Sequence, residues 1–208
     1  MAQRKYQQKL RAEAAEQTRQ QVIDAVLRHL RESPAETVSV DGVAKAAGVA
    51  RSTIYEIFGS REGLFKAAAA DVYARTGYAD LLVATRHEDA REHLRGGIRA
   101  GTRMQAGDRD VFRALHSMAQ LDPDAVGGVV AEMLEERTEG MRRLAKRLDE
   151  QGYLRENMSR ATAAHTLWFI TSFESFDSLF TERGLSVERC ADILVAAAEN
   201  AICAPRSD

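Results

Sequence analysis

The 208-residue chain is 45% hydrophobic and 29% charged, with 29 Lys+Arg against 31 Asp+Glu. That apolar content supports a buried core and excludes a disordered polyampholyte, and no apolar run approaches the roughly 20 residues of a bilayer span. Two cysteines near the end of the sequence, Cys190 and Cys203, make no disulfide framework and point to a reducing, cytoplasmic setting. The opening stretch MAQRKYQQKLRAEAAEQ has cations but no hydrophobic segment behind them, so it is not read as a secretory signal.

Charge is unevenly placed. Residues 1–66 hold 11 Lys+Arg against 8 Asp+Glu, a net +3, and the remainder carries −5. The first eleven residues contain Arg4, Lys5, Lys9 and Arg11 and no acid. A basic arm on an acidic body suits a small nucleic-acid-facing end. The plain alternative for the arm alone is a solvated helix start.

With three prolines, few β-branched runs and abundant Ala, Leu, Arg and Glu, the chain favours helix nearly throughout. Val22, Ile23, Val26, Leu27 and Leu30 share one face of a first helix that starts well before Thr18, and Ser33-Pro34 stops it. Ser39 is positioned to cap a short helix carrying Val40, Val43, Ala44 and Ala47, which Gly48 ends as a residue free to take positive φ. A third short helix holds Ile54, Tyr55, Ile57 and Phe58, and Ser60 caps a longer one. Further helices are predicted over 61–76, 77–85, 88–105, 109–120, 124–151, 159–182 and 187–203. Asp122-Pro123 marks the start of the long 124–151 stretch, Gly152 closes it, and Ser159 and Ser186 cap the last two. The expected fold is all-α: a three-helix helix-turn-helix domain with its basic arm over 1–66, fused to a larger helical ligand-binding and dimerisation domain over 67–208.

The window VDGVAKAAGVARSTIYEIFG, Val40–Gly59, is the strongest local signal. A helix-turn-helix needs small or apolar residues where its short helices touch and a permissive residue at the bend. Val43, Ala44, Ala47, Val49, Ile54 and Ile57 supply the first, and Gly48 the second. Arg51, Ser52, Thr53, Tyr55 and Glu56 are left facing outward, a short polar face able to enter a major groove. The competing reading is three short packed helices of an ordinary bundle.

The segment GVARSTIYEIFGSREGLF, preceded by VSVDGVAKAAGV, resembles the DNA-binding domain of TetR-type transcriptional regulators over roughly residues 18–67. The later stretch TSFESFDSLFTERGLSVERCADIL is more loosely similar to the last two helices of many members. The resemblance implies a sequence-specific DNA-binding regulator, read here as a repressor released from a palindromic double-stranded operator by a small-molecule effector; ligand-dependent activation fits the same residues. It implies that Val40–Ala47 supports and Arg51–Phe58 reads, with Arg51 and Ser52 reaching bases, Thr53 and Tyr55 clasping phosphates, Arg61 meeting the backbone, and Lys45 adding a contact from the supporting helix. Ala50 departs from the pattern, which commonly has a Ser or Thr cap there.

One reading helix contacts few base pairs, so a homodimer on a two-fold axis is expected. The last two helices are apolar on more than one face, and Phe176, Leu179, Ile193, Leu194 and Ala197 are candidates for the interface; a hairpin buried within one chain is the alternative. Met104, Phe112, His116, Met133, Trp168, Phe169 and Phe173 are candidates for a ligand pocket, with Arg113, His116, Glu174 and His165 as polar anchors. By resemblance, helix 61–76 would connect pocket and reading head.

An enzyme is the rival class. The five histidines (29, 87, 93, 116 and 165) show no paired-ligand spacing, no glycine-rich phosphate loop follows a strand, and neither cysteine has a base partner nearby. No catalytic residue, metal site or cofactor is expected. His87 and His93 with their acidic neighbours read as a solvated helix start. A helical protein-interaction module is the second alternative.

Overall fold

A computed structural model describes residues 2–34 and 36–205, with the side chains of residues 2–5 and 121 outside the description. The elements are helical: α1 Ala2–Glu32, α2 Val40–Ala47, α3 Arg51–Phe58, α4 Arg61–Arg75, α5 Tyr78–Ala84, α6 Ala90–Gly107, α7 Arg109–Leu121, α8 Gly128–Glu150, α9 Arg160–Ile170, α10 Phe173–Asp177 and α11 Val187–Ile202. Among the described residues the only β pairing is an isolated antiparallel bridge between Leu154 and Cys203.

The chain divides into two compact units. One comprises the residues up to Val72 together with Arg113–Val130, and the other Tyr73–Phe112 together with the chain from Ala131 onward. In the first unit, Val22, Ile23, Val26, Leu27 and Leu30 are fully buried along α1, which packs on α2, and α2 packs on α3. In the second, α6 is central, packing against α5, α10 and α11, while α11 also packs on α9. Both units draw on chain from either side of the other, so α4 and α7 each run from residues of one into residues of the other.

Local chemistry sets the boundaries. Asp89 caps α6, its Oδ1 accepting from the backbone N–H groups of Arg91 and Glu92 at 2.7 and 3.0 Å. Tyr153 Oη donates to the other carboxylate oxygen at 2.7 Å. These bonds, the Glu92 N–H first, hold the Asp89 pKa below its ordinary value. Ser159 and Ser186 cap α9 and α11 through the N–H groups of Thr162 and Arg189. The C-terminal segment is stitched to the chain after α8, where Arg155 N–H donates to Ile202 O and Ala204 N–H to Tyr153 O, and to α6, where Arg91 Nη2 donates to Ala204 O.

Three sequence expectations need correction. The predicted helix over 159–182 is broken at Thr171-Ser172. Its last carbonyls are taken by side chains instead of by a further turn: Thr171 Oγ1 donates to Leu167 O at 2.8 Å, Ser175 Oγ to Phe169 O at 2.9 Å, and Arg137 Nη2 to Trp168 O. Ser172 then caps α10, which passes into a π turn over Ser178–Glu182. The 124–151 stretch likewise opens as a π turn, Pro123–Gly127, before α8 begins. Finally, His93 is buried at the base of α6 rather than solvated. Its Nδ1 accepts from Arg147 Nη1 at 2.9 Å, and burial, with Arg147 next, pushes its pKa down to about 4.

Candidate functional site

The bend that presents α3 is built from backbone and caps. Ser39 Oγ accepts from Gly42 N–H at 3.0 Å and starts α2. Gly48 takes φ 68°, ψ 30°, the left-handed conformation a side chain disfavours, and the Val49 N–H returns to Ala44 O at 3.0 Å. The chain therefore turns sharply, and α3 starts at Arg51. Val43, Ala44 and Ile54 are buried at the contact while Ala47, Val49 and Ile57 are half-buried. Burying Ile54 alone contributes on the order of 2 kcal/mol. Ala50, in the N-cap position of α3, makes no side-chain cap. Ser60 caps α4 by accepting from Gly63 N–H at 2.9 Å.

With one face of α3 held down by Ile54, the other is open. Arg51, Ser52, Tyr55 and Glu56 are exposed, Thr53 is half-buried, and Lys45 is exposed on α2. Arg51 is already engaged: its Nη1 lies 3.1 and 3.2 Å from the two carboxylate oxygens of Asp41, and its guanidinium carbon stands 5.7 Å from the centroid of the Tyr55 ring. The Tyr55 hydroxyl first, then the Asp41 charge, raise the Arg51 pKa above its ordinary value. Asp41 was missed from sequence. The available signal was an acid in the first turn of α2, ten positions before Arg51.

Arg61, expected to meet the DNA backbone, is engaged within the protein. Its Nη2 makes a 2.6 Å ion pair with Asp122 and donates to Val38 O at 2.5 Å, and its guanidinium stacks over Phe65 at 5.8 Å. Asp122 keeps 14% of its side chain exposed. Arg61 thus ties the start of α4 to the strand-like turn before α2 and to the residue preceding Pro123. Of the basic arm, Lys9 and Arg11 are exposed and Lys9 approaches Glu13 at 3.7 Å; Arg4 and Lys5 lie outside the described side chains.

The second unit contains a cavity of about 120 Å³ whose apolar wall is Leu94, Ile98, Met104, Leu144, Leu167 and Leu194. Its polar wall comprises His93, Thr102, Gln105, Arg137 and Thr171. Of the predicted pocket residues only Met104 lines it. Phe112 and Phe173 stand in a ladder of aromatic contacts, Tyr78–Tyr73–Phe112–Phe173–Phe176–Phe180, with centroids 5.3 to 6.4 Å apart, which forms core. Burial pushes the Tyr73 hydroxyl up to about 12, so it stays neutral. Phe169 is 69% exposed, His116 belongs to the other unit, and Met133 is half-buried away from this cavity. Trp168 lines a separate surface hollow of about 140 Å³ with Thr138, Met141, Arg142, Ala164 and His165. Arg137 was missed. On α8 it occupies the stripe of Met133, Met141 and Leu144, and a lone cation on an apolar stripe is the signal that could have found it.

The proposed interface residues also separate. Phe176 is fully buried and Leu194 5% exposed, so neither offers surface to a second chain. Phe176 fills the aromatic ladder and Leu194 the cavity wall. Leu179 and Ile193 are half-buried, and Ala197 is exposed on α11 beside α9, where Trp168 and Phe169 are also exposed. Among the described residues there is no group of three or more His, Cys, Asp or Glu side chains placed to hold a metal ion.

The first unit's three-helix arrangement with an outward second helix, joined to an all-helical second unit, defines a class: the fold is that of TetR-family transcription regulators. Residues 22–68 match the family described as "Bacterial regulatory proteins, tetR family". The whole chain is similar in structure to a TetR family transcription regulator from Marinobacter aquaeolei VT8, with a TM-score of 0.69 at 18% identity, covering 92% of this chain and 98% of that one. It is also similar to NalD of Pseudomonas aeruginosa, the secondary repressor of the MexAB-OprM multidrug efflux pump (TM-score 0.72, 18% identity, 91% and 98% covered). A third similar structure is the fatty acid degradation regulator FadR from Bacillus halodurans (TM-score 0.71, 17% identity, 88% and 94% covered). No curated protein matches the sequence.

Proposed function

We propose that this protein is a dimeric, sequence-specific DNA-binding repressor that a small molecule releases from its operator. The observation that carries the reading is the exposed polar face of α3, Arg51, Ser52 and Tyr55, held outward by buried Ile54 and Val43 and by the left-handed turn at Gly48. A helix of eight residues presented this way has the length and chemistry to read base edges, with Arg51 to a guanine and Ser52, Thr53, Tyr55 and Lys45 to bases or phosphates. Arg61, engaged with Asp122, acts as a support for the reading head instead of a phosphate contact.

Two copies double the contacts and fix the spacing of half-sites. The exposed Trp168, Phe169 and Ala197 on the packed pair α9 and α11 support this pair as the dimer face, because neighbouring exposed apolar groups on one surface, unlike singly scattered ones, mark interaction sites. The cavity beside α6 supports a ligand site in the second unit. Ligand control would work by population shift: effector binding favours a spacing of reading helices that fits the operator poorly. The covalent path is α4, which follows the reading helix after Gly59-Ser60 and ends among residues of the second unit. The residues are placed in a reducing cytoplasm under this reading, with no cofactor and no catalytic group.

The test is selection of bound duplexes from random-sequence DNA by the full-length protein, followed by a salt titration on the selected site. A palindromic consensus whose affinity falls steeply with salt supports the reading. Failure to enrich any sequence overturns it.

A further inference from the structure

The first helix projects beyond the packed part of its unit. Burial along α1 begins at Thr18 and is complete by Val22, whereas residues 6–17 are all exposed. The helix nevertheless continues back to Ala2, so residues 2–17 extend about 24 Å past the packed part at roughly 1.5 Å per residue. This projection is held by local chemistry. Every residue in it but Tyr6 is Ala, Gln, Lys, Arg, Glu or Leu, all strong helix formers. Lys9 and Arg19 approach Glu13 and Glu16 at 3.7 Å, and Thr18 Oγ1 donates to Ala14 O at 2.9 Å.

Its charges are sorted along its length. Arg4, Lys5, Lys9 and Arg11 all precede the two acids, Glu13 and Glu16, so the cations occupy the far end and the acids the end next to the body. Positions 4, 5, 8, 9 and 11 fall within about 160° of the helix circumference at 3.6 residues per turn, which gathers the cations on one half of it. A helix by itself favours acids in its first turn, and this one has none there. The pairing of Lys9 with Glu13 is weak, since both side chains are more than half exposed. Like charges gathered on an unburied face gain nothing from packing and suit a polyanion.

The root of the projection locates that polyanion. The Arg19 guanidinium carbon stands 5.7 Å from the centroid of Phe58, the last residue of α3. The projection therefore leaves the unit beside the C-terminal end of the helix whose polar face is directed at bases in the reading above. Its length corresponds to about 7 base pairs at roughly 3.4 Å each.

We propose that residues 2–17 form a second duplex contact, with Arg4, Lys5, Lys9 and Arg11 set against backbone phosphates outside the half-site that α3 reads. This rests on the DNA-binding reading and adds a contact that carries affinity without sequence information.

The experiment compares the full-length protein with a full-length variant carrying Arg4→Gln, Lys5→Gln, Lys9→Gln and Arg11→Gln, substitutions that keep helix propensity. Binding is measured against salt on the selected site with about two helical turns of flanking DNA, on the same site trimmed to its half-sites, and on a random-sequence duplex. On the flanked site the salt slope of the wild type should exceed that of the variant by about 3 to 4 per protomer, roughly 0.9 for each phosphate contact. Trimming should remove the difference, and single-base changes in the site should affect both proteins alike. Hydroxyl-radical footprinting should show wild-type protection reaching about 7 base pairs past each half-site, and variant protection stopping at its edge. Equal slopes on the flanked site, a difference that survives trimming, or altered base preference in the variant overturns the proposal. Tyr6→Gln with Leu10→Gln removes exposed apolar side chains of the projection and keeps its cations. That variant should behave as the wild type; loss of the flank effect in it assigns the projection to a second copy of the chain and refutes the phosphate contact. If selection enriches no site, the random duplex decides. Tighter binding by the wild type than by the quadruple variant keeps the projection as a DNA contact while sequence reading falls, and equal binding removes both.

Discussion

Arg51 and Asp41 face each other at 3.1 Å across the bend of the helix-turn-helix, the exposed cation on α3 held by an acid in the first turn of α2. Both side chains are more than half exposed, so the pair positions the guanidinium more than it stabilises the fold. Removing the acid therefore separates affinity from specificity. Asp41→Asn deletes a negative charge from the face proposed to meet DNA, and should raise affinity several-fold for all duplexes. It should also weaken discrimination at the base Arg51 reads, by about 1 kcal/mol of the 1–3 a bidentate contact gives. Competition binding between the selected site and single-base variants checks both. Arg51→Ala should erase the preference at that base, whereas Tyr55→Phe should weaken all sequences alike.

Arg61→Ala should cost stability rather than DNA contacts. It leaves Asp122 without its 2.6 Å partner and Val38 O without a donor. A loss of about 2 kcal/mol is expected, the scale for stranding a mostly buried charged group. Urea denaturation should show it, and a double-mutant cycle with Asp122→Ala should recover most of it as coupling. The slope of DNA affinity against salt should stay unchanged; a shallower slope would return Arg61 to the DNA surface.

Ala50→Ser should stabilise the reading head. Ala50 has φ −72° and ψ 149°, the extended conformation of an N-cap, yet offers no acceptor. A serine hydroxyl there should add about 1 kcal/mol, raising the melting temperature by roughly 2–4 °C. Thermal denaturation followed by circular dichroism is sufficient to detect it.

Acid should weaken the second unit through His93 before its carboxylates titrate. The folded state holds His93 at about 4 against an ordinary 6.5, so the unfolded chain takes up a proton first. The stabilisation is complete above pH 6.5 and is lost as pH falls towards 4. Asp89, whose pKa is lowered by its capping bonds, adds a loss of the same sign at lower pH, below the ordinary aspartate value of 3.8. In His93→Gln the chemical-denaturation midpoint should lose up to one proton's worth of slope between pH 6.5 and 4 and keep the later fall.

Phe169→Glu should yield monomers in sedimentation, since this 69% exposed ring on α9 lies on the proposed dimer face. Phe176→Glu should instead prevent cooperative folding, because it places a carboxylate in the aromatic ladder at a cost of several kcal/mol.

The reading head was legible in advance because its determinants are local. A capping Ser39, a left-handed Gly48, and apolar Val43 and Ile54 at fixed spacing specify the bend through hydrogen bonds and contacts within about twenty residues. The uncapped Ala50 was legible for the same reason. The second unit was read less well. Helix 159–182 has continuous helical patterning, and at its break at Thr171-Ser172 the local Thr171 and Ser175 hydroxyls are joined by Arg137, reaching from 31 residues away to the Trp168 carbonyl.

Sequence alone determined the helical class, the caps Ser39, Ser60, Ser159 and Ser186 and which residues of α3 face outward, because each follows from the chemistry of near neighbours. Tertiary structure alone decided that Arg61 turns to Asp122, that Phe176 packs inward, and that Arg137 rather than His116 lines the cavity. Those outcomes depend on which distant side chains meet, and apolar periodicity says that a face is buried without saying against what.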